Sequence, residues 1–225
     1  MPKSEVKHSV YDTLRHSITN LLYKPGQELD INALAEQLGV SRSPVRDALL
    51  KLSGDKLVDI FPQKGTRVSL LNKEIIRQER FMRVSLELGV IEPCMKSLTD
   101  DTKREIFVTK LKALLLAQHA CLLDGDKVNF LKSDDEMHHL LYTQANCEWV
   151  WETQLAHTGN DHRIRILSYS AKKIPHLVET EHEQFIQAIS ENNAVKILEI
   201  EKVHLSRLYG EIPELEKEFP EYFEK

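Results

Sequence analysis

The tightest constraint on this chain lies between residues 30 and 68. Asp30 precedes Ile31, Leu34, Ala35 and Leu38, an apolar spacing that predicts a short helix with Asp30 as its cap. Gly39 ends that helix, and Ser41-Arg42-Ser43-Pro44 opens another almost at once. Ser43 suits the capping position and Pro44 the first helical turn, with Val45, Leu49, Leu50 and Leu52 as the apolar face. Two short helices across a tight glycine turn make a helix-turn-helix. A further helix is expected over 7–22, on Val10, Leu14, Ile18, Leu21 and Leu22, broken by Pro25-Gly26. After the pair, Lys56–Phe61 reads as a strand, Pro62-Gln63-Lys64-Gly65 as a turn and Thr66-Arg67-Val68 as the return strand. The sum is a winged helix.

The cations of this unit stand where such a fold meets double-stranded DNA. Arg42, Ser43 and Arg46 open the third helix, and Lys64-Gly65 is the wing tip. An arginine fork matches guanine O6 and N7 in the major groove. A Lys-Gly tip can approach a phosphate or the minor groove closely. Residues 1–70 hold 10 Lys/Arg against 8 Asp/Glu, a net of +2, while the whole chain is at −5, leaving −7 for the remainder. A mildly basic head on an acidic body fits two domains, 1–70 and 71–225, with different partners.

Beyond Leu71 there is little Gly or Pro and almost no strand alternation. Helical periodicity runs through 72–97, 100–123, 126–144, 148–170, 177–191 and 194–211, which predicts a six-helix antiparallel bundle and a mainly α protein. Breaks fall at Asp124-Gly125-Asp126, Ile174-Pro175 and Asn192-Asn193, among others. Three cysteines, none in a CxxC pair, argue against a disulfide framework or a zinc ribbon and read as apolar filler. The N-terminus lacks the apolar run of a signal peptide, and no apolar stretch reaches membrane-helix length. A cytoplasmic protein without a membrane partner is the expectation.

Three bundle helices carry polar residues on their apolar stripes. Asp134 and His138, spaced i, i+4, lie on the stripe of Phe130, Leu131, Met137 and Leu141. His182 lies on that of Val178, Phe185, Ile186 and Ile189, and His204 on that of Ile197, Ile200 and Leu208. His182 and His204 are equidistant from the Asn192-Asn193 turn, so antiparallel helices bring them to one height. One carboxylate and three imidazoles then converge in the bundle. A divalent cation such as Zn²⁺, Ni²⁺ or Mn²⁺ would satisfy them; hydrogen-bonded core histidines are the alternative.

The run from Leu34 to Leu49, with Pro25-Gly26, Leu57-Val58 and Gly65 around it, resembles the GntR family of bacterial transcription regulators. That resemblance implies base reading by Arg42 and Arg46 and a minor-groove role for Gly65. Asp134-Asp135-Glu136-Met137-His138, Glu181-His182 and His204-Leu205 are similar to the metal-binding pattern of the all-helical FCD effector domain in the FadR subgroup. The resemblance implies metal ligation by Asp134, His138, His182 and His204. It also implies that Arg83, in Arg83-Val84-Ser85-Leu86-Glu87, holds the carboxylate of a small organic acid. The alternative for Arg83 is an i, i+4 ion pair with Glu87.

The expected function is a ligand-responsive transcriptional repressor: a homodimer on a pseudo-palindromic operator, modulated by a small carboxylate at a divalent-metal site. A metal sensor with the ion as effector is the alternative, and a metal-dependent hydrolase a more distant one. Trp149 and Trp151 are expected to anchor helix packing. The tail 213–225 is given no role.

Overall fold

The computed structural model describes residues 9–170 and 175–225. The N-terminal unit comprises α1 (Val10–Thr19), α2 (Ile31–Leu38), α3 (Arg42–Gly54), β1 (Val58–Phe61) and β2 (Gly65–Val68). Ser9 caps α1 through its side chain, and Asp30 caps α2 by accepting from the Ala33 N–H. α3 begins two residues earlier than the sequence suggests. Ser41 stands at its N-cap, without a side-chain hydrogen bond, and Ser43 lies inside the helix. Pro44 is tolerated there because first-turn N–H groups have no helical acceptor. α1 stops at Thr19, so Leu21 lies beyond it and Leu22 is exposed.

Leu14, Ile18, Leu34, Val45, Leu49 and Leu52 share one small core with Leu57, Val58 and Val68. Leu50, expected on the inner face of α3, points outward, and Ala48 is buried instead. The strands pair antiparallel with Val58 opposite Val68 and Phe61 opposite Gly65. The segment before α2 flanks β2 on its other side, with Leu29 N–H donating to Thr66 O at 2.8 Å.

Among the described residues seven helices follow: α4 (Lys73–Ser97), α5 (Asp101–Asp124), α6 (Lys127–Gln144), α7 (Glu148–His157), α8 (Gly159–Ser170), α9 (Pro175–Ser190) and α10 (Ala194–Glu218), then a short 3-10 turn at Pro220–Tyr222. The stretch 148–170, expected as one helix, is therefore two. The break at Thr158-Gly159 lets the head approach. A Cβ on Gly159 would sit 3.0 Å from Leu57 Cδ2, so only glycine accepts that contact without a shift. The Ile174 side of the expected Ile174-Pro175 break lies outside the described residues. Trp151 is buried as expected, but Trp149 is exposed. Cys94 is buried and Cys121 and Cys147 half-buried, all free. Among the described residues one helix, α5, is long and apolar enough by length and composition to cross a membrane, contrary to the sequence reading. Between Ile106 and Leu123 it carries two charged side chains, Lys110 and Lys112, besides the polar Thr109, Gln118 and His119.

Head and bundle are joined by specific contacts. Arg163, fully buried, donates to the Ser69 carbonyl and to Asn160 Oδ1. Arg15 donates to Leu155 O, and His162 Nε2 meets Asn20 Oδ1 at 3.2 Å. The tail 213–225 completes α10 and returns to the linker. Leu71 N–H donates to Tyr222 O, Glu224 N–H donates to Leu71 O, and Phe223 is buried beside Leu71.

Candidate functional site

On the head, Arg42, Ser43 and Arg46 are exposed along the start of α3. Together with Asn32 of α2 and with Gly65 and Thr66 of the wing they line one open groove. Lys64 and Gly65 border a second groove beside it. Gly65 has φ +107, a conformation that side chains resist, so the wing tip is shaped for glycine. Arg42, Arg46 and Lys64 make no ion pair with a described residue and are free to meet phosphates and base edges. Arg67 is different: it lies over the Phe61 ring at 4.6 Å and 3.5 Å from Asp59, so it braces the wing.

In the bundle, Asp134, His138, His182 and His204 converge. One potential ligand atom from each lies within 4.8 Å of all the others, and all four residues are buried. The paired height expected of His182 and His204 is realised, with ring centroids 4.9 Å apart. His182 Nε2 lies 3.4 Å from Asp134 Oδ1, and His138 Nε2 lies 3.9 Å from Asp134 Oδ2.

Two of the three imidazoles are anchored from behind by a hydrogen bond at Nδ1. His182 Nδ1 meets Gln118 Oε1 at 2.7 Å, and His204 Nδ1 meets Glu181 Oε2 at 2.9 Å. His138 differs: its Nδ1 lies 2.7 Å from Glu87 Oε2 and 3.1 Å from Glu201 Oε1, so two carboxylates face it by charge, but among the described residues it makes no directed hydrogen bond. An Nδ1–H aimed at an outer acceptor leaves the Nε2 lone pair pointing inward, the arrangement that orients metal-binding histidines. Among the described residues, Asp134 Oδ1, His138 Nε2 and His182 Nε2 are buried with no hydrogen-bond partner. Such orphans are costly unless something else satisfies them. The donor set fits a divalent cation of the N/O-preferring kind.

A wall of charges surrounds the cluster. Arg165 pairs with Asp134 and also with Asp135, the latter at 2.6 Å. Arg83 Nε donates to Glu87 Oε1 at 2.5 Å, so the i, i+4 pair does form, and Arg83 also lies 3.6 Å from Asp161. Arg80 reaches Asp161 at 3.2 Å. Arg83, Asp134, Arg165, His204 and Arg207 line a cavity of ≈ 30 Å³, room for one or two waters. Arg83 thus shares this cavity with two members of the cluster, Asp134 and His204.

The charges set the proton affinities. Burial opposes a charge on His138, but the Glu87 and Glu201 carboxylates outweigh it and lift the imidazole to about 10. Burial pushes His182 down to about 4, with Asp134 opposing. Burial, then His182 and His138, holds His204 well below the usual range. Burial alone would raise the Asp134 carboxyl, but Arg165, His138 and His182 hold it below its ordinary value. A cation here competes with a proton on His138, while His182 and His204 are already neutral.

Sequence reasoning missed Gln118, Glu201, Asp161 and Arg165. Gln118 and Glu201 were detectable as polar residues on the inner faces of α5 and α10. Arg165 carried no such signal. The other histidines stay outside the cluster: His139 stacks on Trp151, and His119 pairs with Glu179.

Comparison with known proteins agrees with this geometry. The model of the gntR family of bacterial regulatory proteins matches residues 6–68, and that of the FCD domain matches residues 80–207. The HTH-type transcriptional repressor RspR of Escherichia coli is 24% identical over 222 residues, 99% of this chain and 95% of its own. The HTH-type transcriptional regulator McbR of Escherichia coli is 32% identical over 145 residues, 63% of each chain. The solved structure of Escherichia coli McbR/YncC shares the fold with a TM-score of 0.73 at 21% identity, covering 96% of this chain and 99% of that one. The chain belongs to the GntR family of bacterial transcriptional regulators that carry an FCD domain, and is a DNA-binding regulator rather than an enzyme.

Proposed function

We propose that this chain, as a FadR-subgroup homodimer, represses transcription from a pseudo-palindromic operator and answers to a small organic acid. The head, residues 1–70, reads DNA through Arg42, Ser43, Arg46, Lys64 and Gly65. The body, residues 71–225, holds a divalent cation (Zn²⁺, Ni²⁺ or Mn²⁺) on Asp134, His138, His182 and His204. The bound cation would supply a Lewis-acid positive charge for one carboxylate oxygen of the effector. Arg83 would grip the carboxylate by its fork. The observation that carries this reading is the convergence of one carboxylate and three imidazoles, two of them anchored through Nδ1, around orphaned Nε2 and carboxylate atoms. The repressor named among the relatives supports the sign of regulation.

The cavity is too small for an organic acid as it stands, so binding requires the arginines lining it to move. Arg83 is bound to Asp161, whose backbone N–H is held by Glu79 at the start of α8. Two residues on, Arg163 grips Ser69 of the linker. An acid that pulls Arg83 off Asp161 therefore disturbs the helix end on which the head rests, giving it the differential affinity that switching needs. The same small cavity favours, as a second reading, the ion alone as effector.

Elemental analysis of untagged, chelator-free protein tests the site. About one divalent ion per chain is expected, and none in His182→Ala. No ion in the wild type after reconstitution, or an ion retained in His182→Ala, overturns the ligand assignment. Operator binding measured with metal, with and without small carboxylic acids, then separates the two readings.

A further inference from the structure

Head and bundle meet over a cleft that leads towards the metal cluster. α1 lines it with Arg15, His16 and Asn20, and α6 and α7 line it with Asp135, Trp151 and Leu155, around ≈ 960 Å³. Beside it lies a smaller space of ≈ 20 Å³, room for one water. Arg15, Asp135, Trp151, Leu155 and His162 line both spaces. Arg83 and Arg165 line the smaller space and also the cavity that has Asp134 and His204 in its wall. Three spaces therefore stand in series, from the open cleft to the cluster, with shared side chains between them.

The middle space carries an excess of positive charge. Arg15, Arg83 and Arg165 line it against Asp135 and Asp161. Both carboxylates are already engaged: Asp135 with Arg165 at 2.6 Å, Asp161 with Arg80 at 3.2 Å and Arg83 at 3.6 Å. Arg15 makes no ion pair with a described residue. Its Nη2 donates to the carbonyls of Leu155 at 2.5 Å and Ala156 at 3.4 Å. Capping the last turn of α7 accounts for that group. It does not account for Arg15 Nε, which is buried and, among the described residues, has no hydrogen-bond partner. A buried donor on a charged group is costly to leave unmet, and a carboxylate oxygen satisfies donor and charge together.

We propose that this middle space is an anion subsite shared by the two domains, where Arg15 of the head binds a second acidic group of the effector. The inner carboxylate goes to Arg83, and the chain between the two acids lies against Trp151 and Leu155, the apolar part of the wall. The effector class is then a dicarboxylate, and the cleft is its way in. Entry needs a side chain to move. Asp135 stands between cleft and middle space, held by Arg165 on one side and 3.6 Å from His162 Nδ1 on the other, and it must swing aside. The inference rests on the effector reading of the preceding section. It adds the ligand class and a contact from the DNA-reading domain. α1 shares its core with α3 through Leu14, Ile18, Val45 and Leu49, so an acid held by Arg15 bears on the helix that carries Arg42 and Arg46.

Isothermal titration calorimetry on the full chain in buffer containing Zn²⁺ tests this. Succinate, glutarate and adipate are compared with butyrate, pentanoate and hexanoate, the monoacids of the same lengths. At least one diacid is expected to bind about 10–100-fold tighter than its matched monoacid, the range of a hydrogen bond to a charged group. Arg15→Gln is expected to remove that margin. Arg15→Lys, which keeps the charge without the fork, is expected to reduce it. Equal affinities within every pair in the wild type overturn the proposal, and so does a full margin retained in either variant. The wild-type comparison decides even where Arg15→Gln fails to fold. Monoacid binding without a diacid margin overturns this subsite and leaves the effector reading standing. Binding of none of the six acids overturns the effector reading and the subsite together.

Discussion

Replacing Gln118 by methionine separates the cost of holding the cluster empty from the benefit of filling it. Gln118 is fully buried, and its Oε1 holds His182 Nδ1 at 2.7 Å, while its Nε2 has no partner. An orphaned buried donor costs about 1–3 kcal/mol, so a methionine of similar shape removes that cost while it also removes the acceptor for His182. The two effects roughly offset, and metal-free stability should move by less than about 1 kcal/mol. Metal affinity should not be spared. Loss of a partner that orients a metal-binding histidine typically costs 10–100-fold in affinity. With free ion at about 100 times the wild-type dissociation constant, the wild type gains about 2.7 kcal/mol of stability, and the variant only about 0.4–1.4 kcal/mol. At about 2–4 °C per kcal/mol, the wild-type metal shift is about 5–11 °C and the variant's about 1–6 °C. Differential scanning calorimetry with and without Zn²⁺ at buffered free concentration reads both numbers. A Gln118→Met shift equal to wild type, with an unchanged dissociation constant by titration, refutes the outer-anchor reasoning.

Arg46→Ala should weaken binding to an operator selected from random duplexes by about 1–3 kcal/mol, roughly 5–150-fold, and relax the base preference at one position of each half-site. Fluorescence anisotropy checks this, and unchanged affinity rejects the reading role of α3. Lys64→Ala should instead lower affinity evenly across sequences and reduce the log–log salt slope by about 0.9. The Glu79 carboxyl, raised by burial to about 7 against Asn160 and Asp161 hydrogen bonds that favour its charge, should make stability pH-dependent. Its folded pKa lies above the unfolded value, so the native state holds the proton more tightly. Its contribution is therefore complete below about pH 4.5 and lost as pH rises through 7, by roughly 3 kcal/mol in all. Denaturant melts of wild type and Glu79→Gln across pH 4.5–7.5 should diverge by this amount, and parallel curves would show that Glu79 is ionised throughout.

The parts legible in the sequence are those set by local periodicity and by chemistry that repeats at fixed spacing. Asp30, Gly39 and Gly65 announced α2, its end and the wing tip because caps and positive-φ turns are local requirements. The convergence of Asp134, His138, His182 and His204 was legible because a polar residue on an apolar helical stripe points inward, and a known turn fixes relative height. Ser43 was misplaced as a cap because Ser41 offers the same side chain two residues earlier, and periodicity cannot rank them. The α7–α8 break was invisible for a different reason. Thr158-Gly159 is a weak helix breaker locally, and the close contact that Gly159 makes there is with Leu57, a hundred residues away. Arg165, Asp161 and Arg80 were missed likewise: an arginine in a helical run is read as solvated unless the partners that bury it are known.

That buried charge network is itself an argument about what the bundle is for. Arg83 is 3% exposed and Glu87 fully buried, with their ion pair at 2.5 Å. Buried pairs of this kind rarely add net stability, because desolvation offsets attraction, and an apolar pair of similar volume does as well or better. Removing one partner is different, since it strands the other charge. Arg83→Met alone should therefore cost about 3–5 kcal/mol, whereas Arg83→Met with Glu87→Met should return to within about 1 kcal/mol of wild type. His138 keeps the Glu201 carboxylate 3.1 Å from its Nδ1 in the double variant, and Asp134, His182 and His204 are untouched, so metal uptake should survive. What the double variant should lose is the carboxylate response of operator binding, because the fork facing the cavity is gone. Equal destabilisation in the single and double variants would mean that the pair is structural. Retention of the carboxylate response in a stable double variant would remove Arg83 from the effector site, leaving the metal cluster to act alone.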